Sequence, residues 1–445
     1  MKPSEVHKTI GKHMLADGES IVFDLERSHG AYMVDALTNK EYIDFFTFFA
    51  SMPIGHNHPK MRDAEFLEKL TAAAITKPSS SDIYTTLMAE FVETFARVAM
   101  PEQMQHLFLV SGGALAVENS LKAAFDWKVR KNFAAIGKAD GTPLMLEGFG
   151  GKVIHFREAF HGRTGYTLSL TNTDDPRKYA FFPKFDWPRV LNPKLRFPLT
   201  DEIIAEVKRD EEIALSQIES AVKQYPGDIA ALIIEPIQAE GGDNHFRPEF
   251  MVELRRLADD HEFLFIVDEV QSGMGLTGKM WAIQHADVIP DVISFGKKSQ
   301  ICGVIAGPRI DEVKGHVFEE SSRINSTFGG SLTDMVRSTR YLEIIEEEDL
   351  LAHTARMGEH ILAGLESVAE ESRGLVSNVR GKGLMVAFDL PSREARQKMT
   401  DNMKNNGLYA LTSGEKSVRF RGMLDTPKEV VDKAVNIVAT SIPVD

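Results

Sequence analysis

The sequence predicts an α/β protein with a mostly parallel sheet, on three observations. Between residues 106 and 310, short apolar runs alternate with longer segments whose apolar residues recur three and four positions apart, the pattern of βαβ units. The longest runs, such as AALII (230–234) and FLFIV (263–267), fall far short of the ~20 residues that span a bilayer, so they read as buried strands. A chain of 445 residues with 43% hydrophobic and 26% charged types has ordinary globular composition and can bury a large core.

Taken in order, residues 1–65 begin with a helical segment, and AYMVDALTNKEYIDFF then has the form of a hairpin turning at Thr38, Asn39 and Lys40. The expected strands of the core are HLFLV (106–110), KVIHF (152–156), IAALII (229–234), FLFIV (263–267), DVISF (291–295) and GVIAG (303–307). Between them, residues 118–131, 214–225 and 250–261 carry the spacing of helices packed on a sheet. Long amphipathic patterns run from about 333 to 372, followed by GLMVAFDL (383–390), another helical segment and the strand SVRFR (417–421). The expected organisation is a large domain over 66–332 and a small α+β domain over 333–445, which the N-terminal segment 1–65 joins. The acidic run EIIEEED (343–349) reads as a solvated helix end.

Composition removes several classes of function. With 51 Lys and Arg against 65 Asp and Glu, the net charge of −14 repels phosphate backbones and anionic lipid, so neither nucleic acid nor membrane is an expected partner. Cys302 is the single cysteine, which excludes an intrachain disulfide and a Cys-rich zinc site and fits a reducing, cytoplasmic compartment. The opening MKPSEVHKTIGKHMLADGES has no signal-peptide hydrophobic run, so export is not expected. His56 and His58 in GHNHP have no third ligand nearby and read as turn residues, leaving no expected metal site.

The chemistry gathers where strands end. Asp268 follows FLFIV directly, and Gln271 lies three residues on; ligands of parallel sheets collect at these carboxyl ends. Asp268 could instead cap a turn. The next strand, DVISF, ends in Gly296, Lys297 and Lys298. A carboxylate ending one strand and a lysine ending its neighbour are what pyridoxal phosphate needs: a lysine to hold its aldehyde as a Schiff base, and an acid to keep its ring nitrogen protonated. HLFLV runs into SGGALAVENS, a turn and helix start where the N–H groups of Gly112, Gly113 and Ala114 can cradle a phosphate dianion; no Walker lysine is present. GMGLTG (273–278) matches the dinucleotide pattern but is separated from its strand by DEVQS, so it reads as an active-site loop. Phe160 and Arg163 in AFHGRT offer a stacking ring and a carboxylate fork, Glu240 follows IAALII in EPIQAEGG, Asn325, Ser326 and Thr327 lie in NSTFGG, and SVRFRG supplies Arg419 or Arg421.

These motifs, in this order, resemble the class III aminotransferases, pyridoxal-phosphate enzymes of fold type I. The resemblance spans nearly the whole chain, through MVDALTNKEYIDF, GHNHP, SGGALAVENSLKAA, AFHGRT, IIEPIQAEGG, FIVDEVQSGMGLTG, PDVISFGKK and STFGG. SGGALAVENSLKAAFDWK, KPSSSDIYT, FGKKSQICGVIAG and Leu276 are most similar to the L-lysine 6-aminotransferase branch. The resemblance implies that Lys297 binds the cofactor, with Lys298 as competitor; that Asp268 pairs with the ring nitrogen, Gln271 with the phenolic oxygen and Phe160 with the ring face; and that Gly112, Gly113 and Ala114 hold the phosphate. It also implies that Thr327, with Ser326, reaches the phosphate from the partner subunit of a homodimer. Arg163, Asn325 and Arg419 are implied to bind substrate, and Glu240 to neutralise Arg419 when no carboxylate occupies it. The implied reaction moves the ε-amine of L-lysine to 2-oxoglutarate. Other ω-aminotransferases, acting on ornithine, 4-aminobutyrate or a diamine, and a non-catalytic protein of the same fold are the alternatives.

Overall fold

Strands that are apolar on both faces must be covered on both faces. A computed structural model of the chain, describing residues 1–77, 82–137 and 148–443, shows how this is done. Part of KPSSSDIYT therefore lies outside the described residues. The N-terminal hairpin consists of β1 (Tyr32–Val34) and β2 (Glu41–Asp44), paired antiparallel. The central sheet follows: β3 (His106–Val110), β4 (Lys152–Phe156), β5 (Arg189–Val190) and β6 (Ile229–Ile234). A short ribbon of β7 (Ile237–Gln238) and β8 (Asn244–His245) leads to β9 (Leu264–Asp268), β10 (Val292–Phe295) and β11 (Cys302–Ala306). The sheet order is β3-β11-β10-β9-β6-β4-β5, seven strands in all.

Side chains alternate between two cores, with one break at Ala230 and Ala231, which lie in the same core. Val153, Ala231, Ile233, Leu264 and Ile266 face the helix Gly113–Ala135, which contributes Val117, Leu121, Ala124 and Trp127. Ile154, Leu232, Ile234, Phe265 and Val267 face the other way, onto Phe250, Leu254 and Leu257 of the helix Pro248–Asp260. Every residue of β6 and β9 is buried, and full burial of each Leu, Ile or Phe is worth roughly 1.5–3 kcal/mol.

Two expectations need adjustment. The FLFIV strand is shifted by one residue, so that Asp268 is its last member, paired with Ser294 of β10. The last core strand runs Cys302–Ala306 and is antiparallel to both of its neighbours, β10 and β3. The connection over 296–301 is too short for the crossover of a dozen residues that a parallel return requires.

Beyond the sheet, the amphipathic stretch forms two helices, Leu332–Glu347 and Leu350–Glu371, parted at Asp349, whose φ is 49°. The acidic run at this junction is paired as well as solvated: Glu346 meets Arg97, and Glu347 meets Lys60 at 2.7 Å. The C-terminal strands are β12 (Ser377–Lys382), β13 (Met385–Asp389), β14 (Leu408–Tyr409), β15 (Leu411–Ser413) and β16 (Ser417–Arg421). β14 pairs parallel to β2, and Ala31, Ile43 and Phe45 share one core with Ile361, Phe388 and Phe420. Among the described residues, no helix is long and apolar enough to cross a membrane.

Candidate active site

The parallel strands β4, β6, β9 and β10 present their carboxyl ends to one crevice, and β9 delivers Asp268 there, 5% exposed. Its Oδ1 accepts the Val270 N–H at 3.1 Å, and its Oδ2 lies 2.8 Å from His161 Nδ1. A carboxylate accepts, so Nδ1 carries the proton, and His161 Nε2 is buried without a partner. One strand over, Glu235 follows β6 and accepts the N–H groups of Phe160 at 2.9 Å and Ala239 at 3.1 Å, fixing the backbone that carries the Phe160 ring. Burial pushes the Glu235 carboxyl up to about 7.

β10 ends at Phe295, and after Gly296 the chain turns through Lys297–Ser299. Lys297 takes a left-handed conformation, φ 53°, at a cost of roughly 1–2 kcal/mol for a residue with a Cβ. Among the described residues no hydrogen bond or ion pair engages its amine. Burial lowers its pKa to about 7, helped by the positive charges of Arg419 and Arg421 and opposed by Glu240 and Asp268. Lys298 points elsewhere: its amine donates to the carbonyls of Met52 at 2.7 Å and Gly422 at 3.2 Å, binding the N- and C-terminal loops together. Burial also lowers Lys298 to about 7.

The Gly-Gly turn has the shape an anion site demands. Gly112 has φ 121°, accessible to glycine, and a Cβ on Gly113 would lie 2.7 Å from Val270 Cγ1. The long helix that begins here has no side-chain cap, so its first N–H groups and its dipole are left for an anion. Cys302 lies against the backbone N–H groups of Gly112 and Lys297, tying the turn to the lysine; burial pushes its thiol pKa up.

A charged group closes the crevice. Arg419, on β16 and 2% exposed, donates from Nη2 to Glu240 Oε2 at 2.7 Å. The other oxygen of Glu240 is bound by Lys178, whose amine also sits 5.9 Å from the centre of the Phe160 ring. Arg421 is committed elsewhere, to Asp243 at 2.5 Å and to Gln271 Oε1 at 3.0 Å, which separates the two arginines that the motif SVRFRG left open. The Gln271 amide nitrogen has no partner among the described residues.

The structure thus gathers Asp268, Gln271, Lys297, Phe160, Glu240 and Arg419. Arg163 is exposed at the edge, its guanidinium 6.0 Å from the Phe160 ring centre. Asn325, Ser326 and Thr327 lie on a surface loop, where Asn325 Oδ1 accepts the Ser326 N–H and Ser111 Oγ donates to the Phe328 carbonyl at 2.6 Å. A groove of about 520 Å³ between Tyr84, Phe108, Phe318 and Asn325 runs beside this loop. The GMGLTG segment opens no α-helix; a Cβ at Gly275 or Gly278 would strike Leu351 or Ala355 of the helix Leu350–Glu371 at 2.8 Å. His56 pairs with the buried Asp44 at 2.9 Å, whereas His58 lies 3.7 Å from Glu348.

A second cluster, His106, Asp311 and His316, lies at the far end of β3. The Phe318 N–H donates to His316 Nδ1, which puts the proton of the neutral ring on Nε2, beside Asp311. Asp311 Oδ1 is hydrogen-bonded to His106 Nε2 at 2.8 Å, whereas His316 Nε2, 3.1 Å away, makes no hydrogen bond among the described residues. Sequence reasoning missed His161, Glu235 and Lys178. His161 sits inside AFHGRT and could have been found there; nothing in the sequence around Lys178 marks it.

Comparison with known proteins places the chain in a family. The sequence model of the class III aminotransferases matches residues 14–442. The L-lysine-epsilon aminotransferase of Mycobacterium tuberculosis is 49% identical over 443 residues, 99% of this chain and 96% of that one. That of Streptomyces clavuligerus is 45% identical over 440 residues, 98% and 94% of the respective chains. The solved lysine aminotransferase of M. tuberculosis superposes with a TM-score of 0.95 at 48% identity, covering 100% of this chain and 99% of that one. The chain belongs to the class III aminotransferases, enzymes of pyridoxal 5′-phosphate with the fold type I architecture.

Proposed function

We propose that this enzyme moves the ε-amine of L-lysine to 2-oxoglutarate in two half-reactions, giving 2-aminoadipate 6-semialdehyde, which cyclises to piperideine-6-carboxylate, and L-glutamate. The observation that carries the reading is Glu240 seated on the buried Arg419 next to Lys297. An arginine needed for one substrate only must be neutralised for the other, because an unpaired buried cation is costly. Lysine presents an apolar stem near its reacting amine, while glutamate presents its α-carboxylate there. The identity to relatives named L-lysine-epsilon aminotransferases supports the same donor.

The residues fit the cofactor. Gly112 supplies the turn and Gly113 and Ala114 the uncapped N–H groups for its phosphate, Asp268 an acceptor to its ring nitrogen, Gln271 its free amide to the phenolic oxygen, and Phe160 a ring to its face. Bound there, pyridoxal phosphate supplies an aldehyde that captures the amine and a ring that absorbs the electrons released when a C–H bond breaks. The chain does the rest. Lys297, whose pKa burial lowers to about 7, holds part of its amine unprotonated at neutral pH, as needed to take the proton from the ε-carbon of lysine and pass it to the cofactor carbon. Arg163 holds the distal carboxylate of either substrate, assisted by Asn325. Glu240 neutralises Arg419 during the lysine half-reaction and leaves it for 2-oxoglutarate. The exposed loop of Asn325, Ser326 and Thr327, beside a groove of about 520 Å³, suits a homodimer in which Thr327 and Ser326 of the partner subunit complete the phosphate site.

Incubation with lysine and 2-oxoglutarate tests the reading: the cyclic imine and glutamate should appear together. Turnover of ornithine or 4-aminobutyrate in preference to lysine would reassign the donor. Borohydride reduction and peptide mapping should label Lys297; a label on Lys298 would overturn that role.

A further inference from the structure

The Glu240 carboxylate is shared. Arg419 holds Oε2, while Lys178 holds Oε1. Lys178 ends the short turn Pro176–Lys178 and is 16% exposed, against 24% for Glu240 and 3% for the Arg419 side chain. Two cations thus converge on one anion, one from a deep strand and one from a loop at the mouth. Burial works to raise the Glu240 pKa, but Arg419 and Lys178 outweigh it, and the net shift is downward.

A carboxylate that leaves Arg419 must still be neutralised, because a half-buried anion without a partner is costly. Glu240 need only turn about its side-chain bonds to release Arg419 while keeping the contact through its other oxygen. From this arrangement we propose that Lys178 is a specificity-determining positioning residue: it retains Glu240 when the α-carboxylate of the keto acid takes Arg419, and so lowers the cost of opening the site to a dicarboxylate. The inference rests on the reading of Glu240 as a gate. Lys178 touches Glu240 whether the site is open or closed. Its removal leaves Arg419 as the sole partner, so opening becomes harder while the closed form is little changed.

The test compares the holoenzyme with Lys178→Met, Lys178→Arg, Glu240→Ala and the Lys178→Met/Glu240→Ala double variant. The measurements are the two half-reactions, followed separately by absorbance, and the affinity for glutarate, an unreactive dicarboxylate, by calorimetry. Lys178→Met should raise the KM for 2-oxoglutarate and the Kd for glutarate about tenfold, the factor that ~1.4 kcal/mol gives, with kcat and the lysine half-reaction within about twofold. Lys178→Arg should restore both values. In the Glu240→Ala background, Lys178→Met should change neither. A glutarate loss that persists in that background would mean that Lys178 binds the dicarboxylate itself, and equal losses in both half-reactions would mean a purely structural role; either overturns the proposal. If Glu240→Ala fails to separate the two half-reactions, the gate reading falls. If it separates them and Lys178→Met has no effect, only the present inference falls.

Discussion

The strand-end cradle and the charged gate stand side by side but are built differently. Asp268 ends β9 and Lys297 follows β10 after Gly296, and every residue of both strands is buried, so their separation is set by strand pairing and one tight turn. The gate joins Lys178, Glu240 and Arg419 from a loop, a turn and a strand in different parts of the chain, and its contacts are ion pairs. Packing cannot be exchanged for a ligand, whereas an ion pair can be exchanged for a substrate carboxylate. On the proposed function, the chemistry sits on the rigid part and substrate discrimination on the exchangeable one.

The sharpest way to break the comparison is at the cradle. Lys297→Ala should lower kcat by about 10³-fold or more, the scale of a lost general acid–base, in both half-reactions alike. Single-turnover rates check it, and an unequal loss would show that the cradle also discriminates. Asp268→Asn should cost about 10²–10³-fold, again in both, as expected when a preorganised charge is removed; activity within tenfold would mean that the ring nitrogen does not rely on this carboxylate. At the gate the effect should be smaller and lopsided: Glu240→Ala should slow the lysine half-reaction about tenfold more than the glutamate one. Equal losses would make Glu240 part of the cradle.

Two stability measurements sharpen the same contrast. Gly112→Ala should destabilise the protein by ~1–3 kcal/mol in denaturant unfolding, because φ 121° is closed to a residue with a Cβ. The pH dependence of the cofactor-free protein should report the two buried lysines. Lys297 and Lys298 both have folded pKa values of about 7, below the ordinary lysine value, so the unfolded chain binds more protons above pH 7. Stability should rise from about pH 7 towards the ordinary lysine pKa, and the penalty should be full below pH 7. Arg421, Asp44 and Asp425 face Lys298, while Arg419, Arg421, Glu240 and Asp268 face Lys297. Lys298→Met should flatten the rise. A flat profile in the parent protein would show that both amines are solvated.

Much of the cradle was legible because its determinants are local. An apolar run buried on both faces fixes a strand, its end fixes where Asp268 or Lys297 emerges, and a Gly-Gly pair after a strand fixes a turn with an open helix start. The orientation of β11 was not read from its composition, although the short link from β10 dictates it. The choice between Lys297 and Lys298 was open to sequence because adjacent residues share composition. In the fold one amine is taken up by the carbonyls of Met52 and Gly422, while the other has no such partner.

The amino-acid sequence by itself determined the sheet, the ends of its strands and the residue types that an amine-transferring cofactor requires, since each of these follows from contacts close along the chain. Tertiary structure alone decided the partners. His161 meets Asp268 across 107 residues of chain, Lys178 meets Glu240 across 62, and Arg419 meets Glu240 across 179. Which of two arginines in SVRFRG faces the crevice was settled only when Asp243 claimed Arg421. Long-range charge pairing depends on where buried backbones bring side chains to rest, and no local periodicity encodes it.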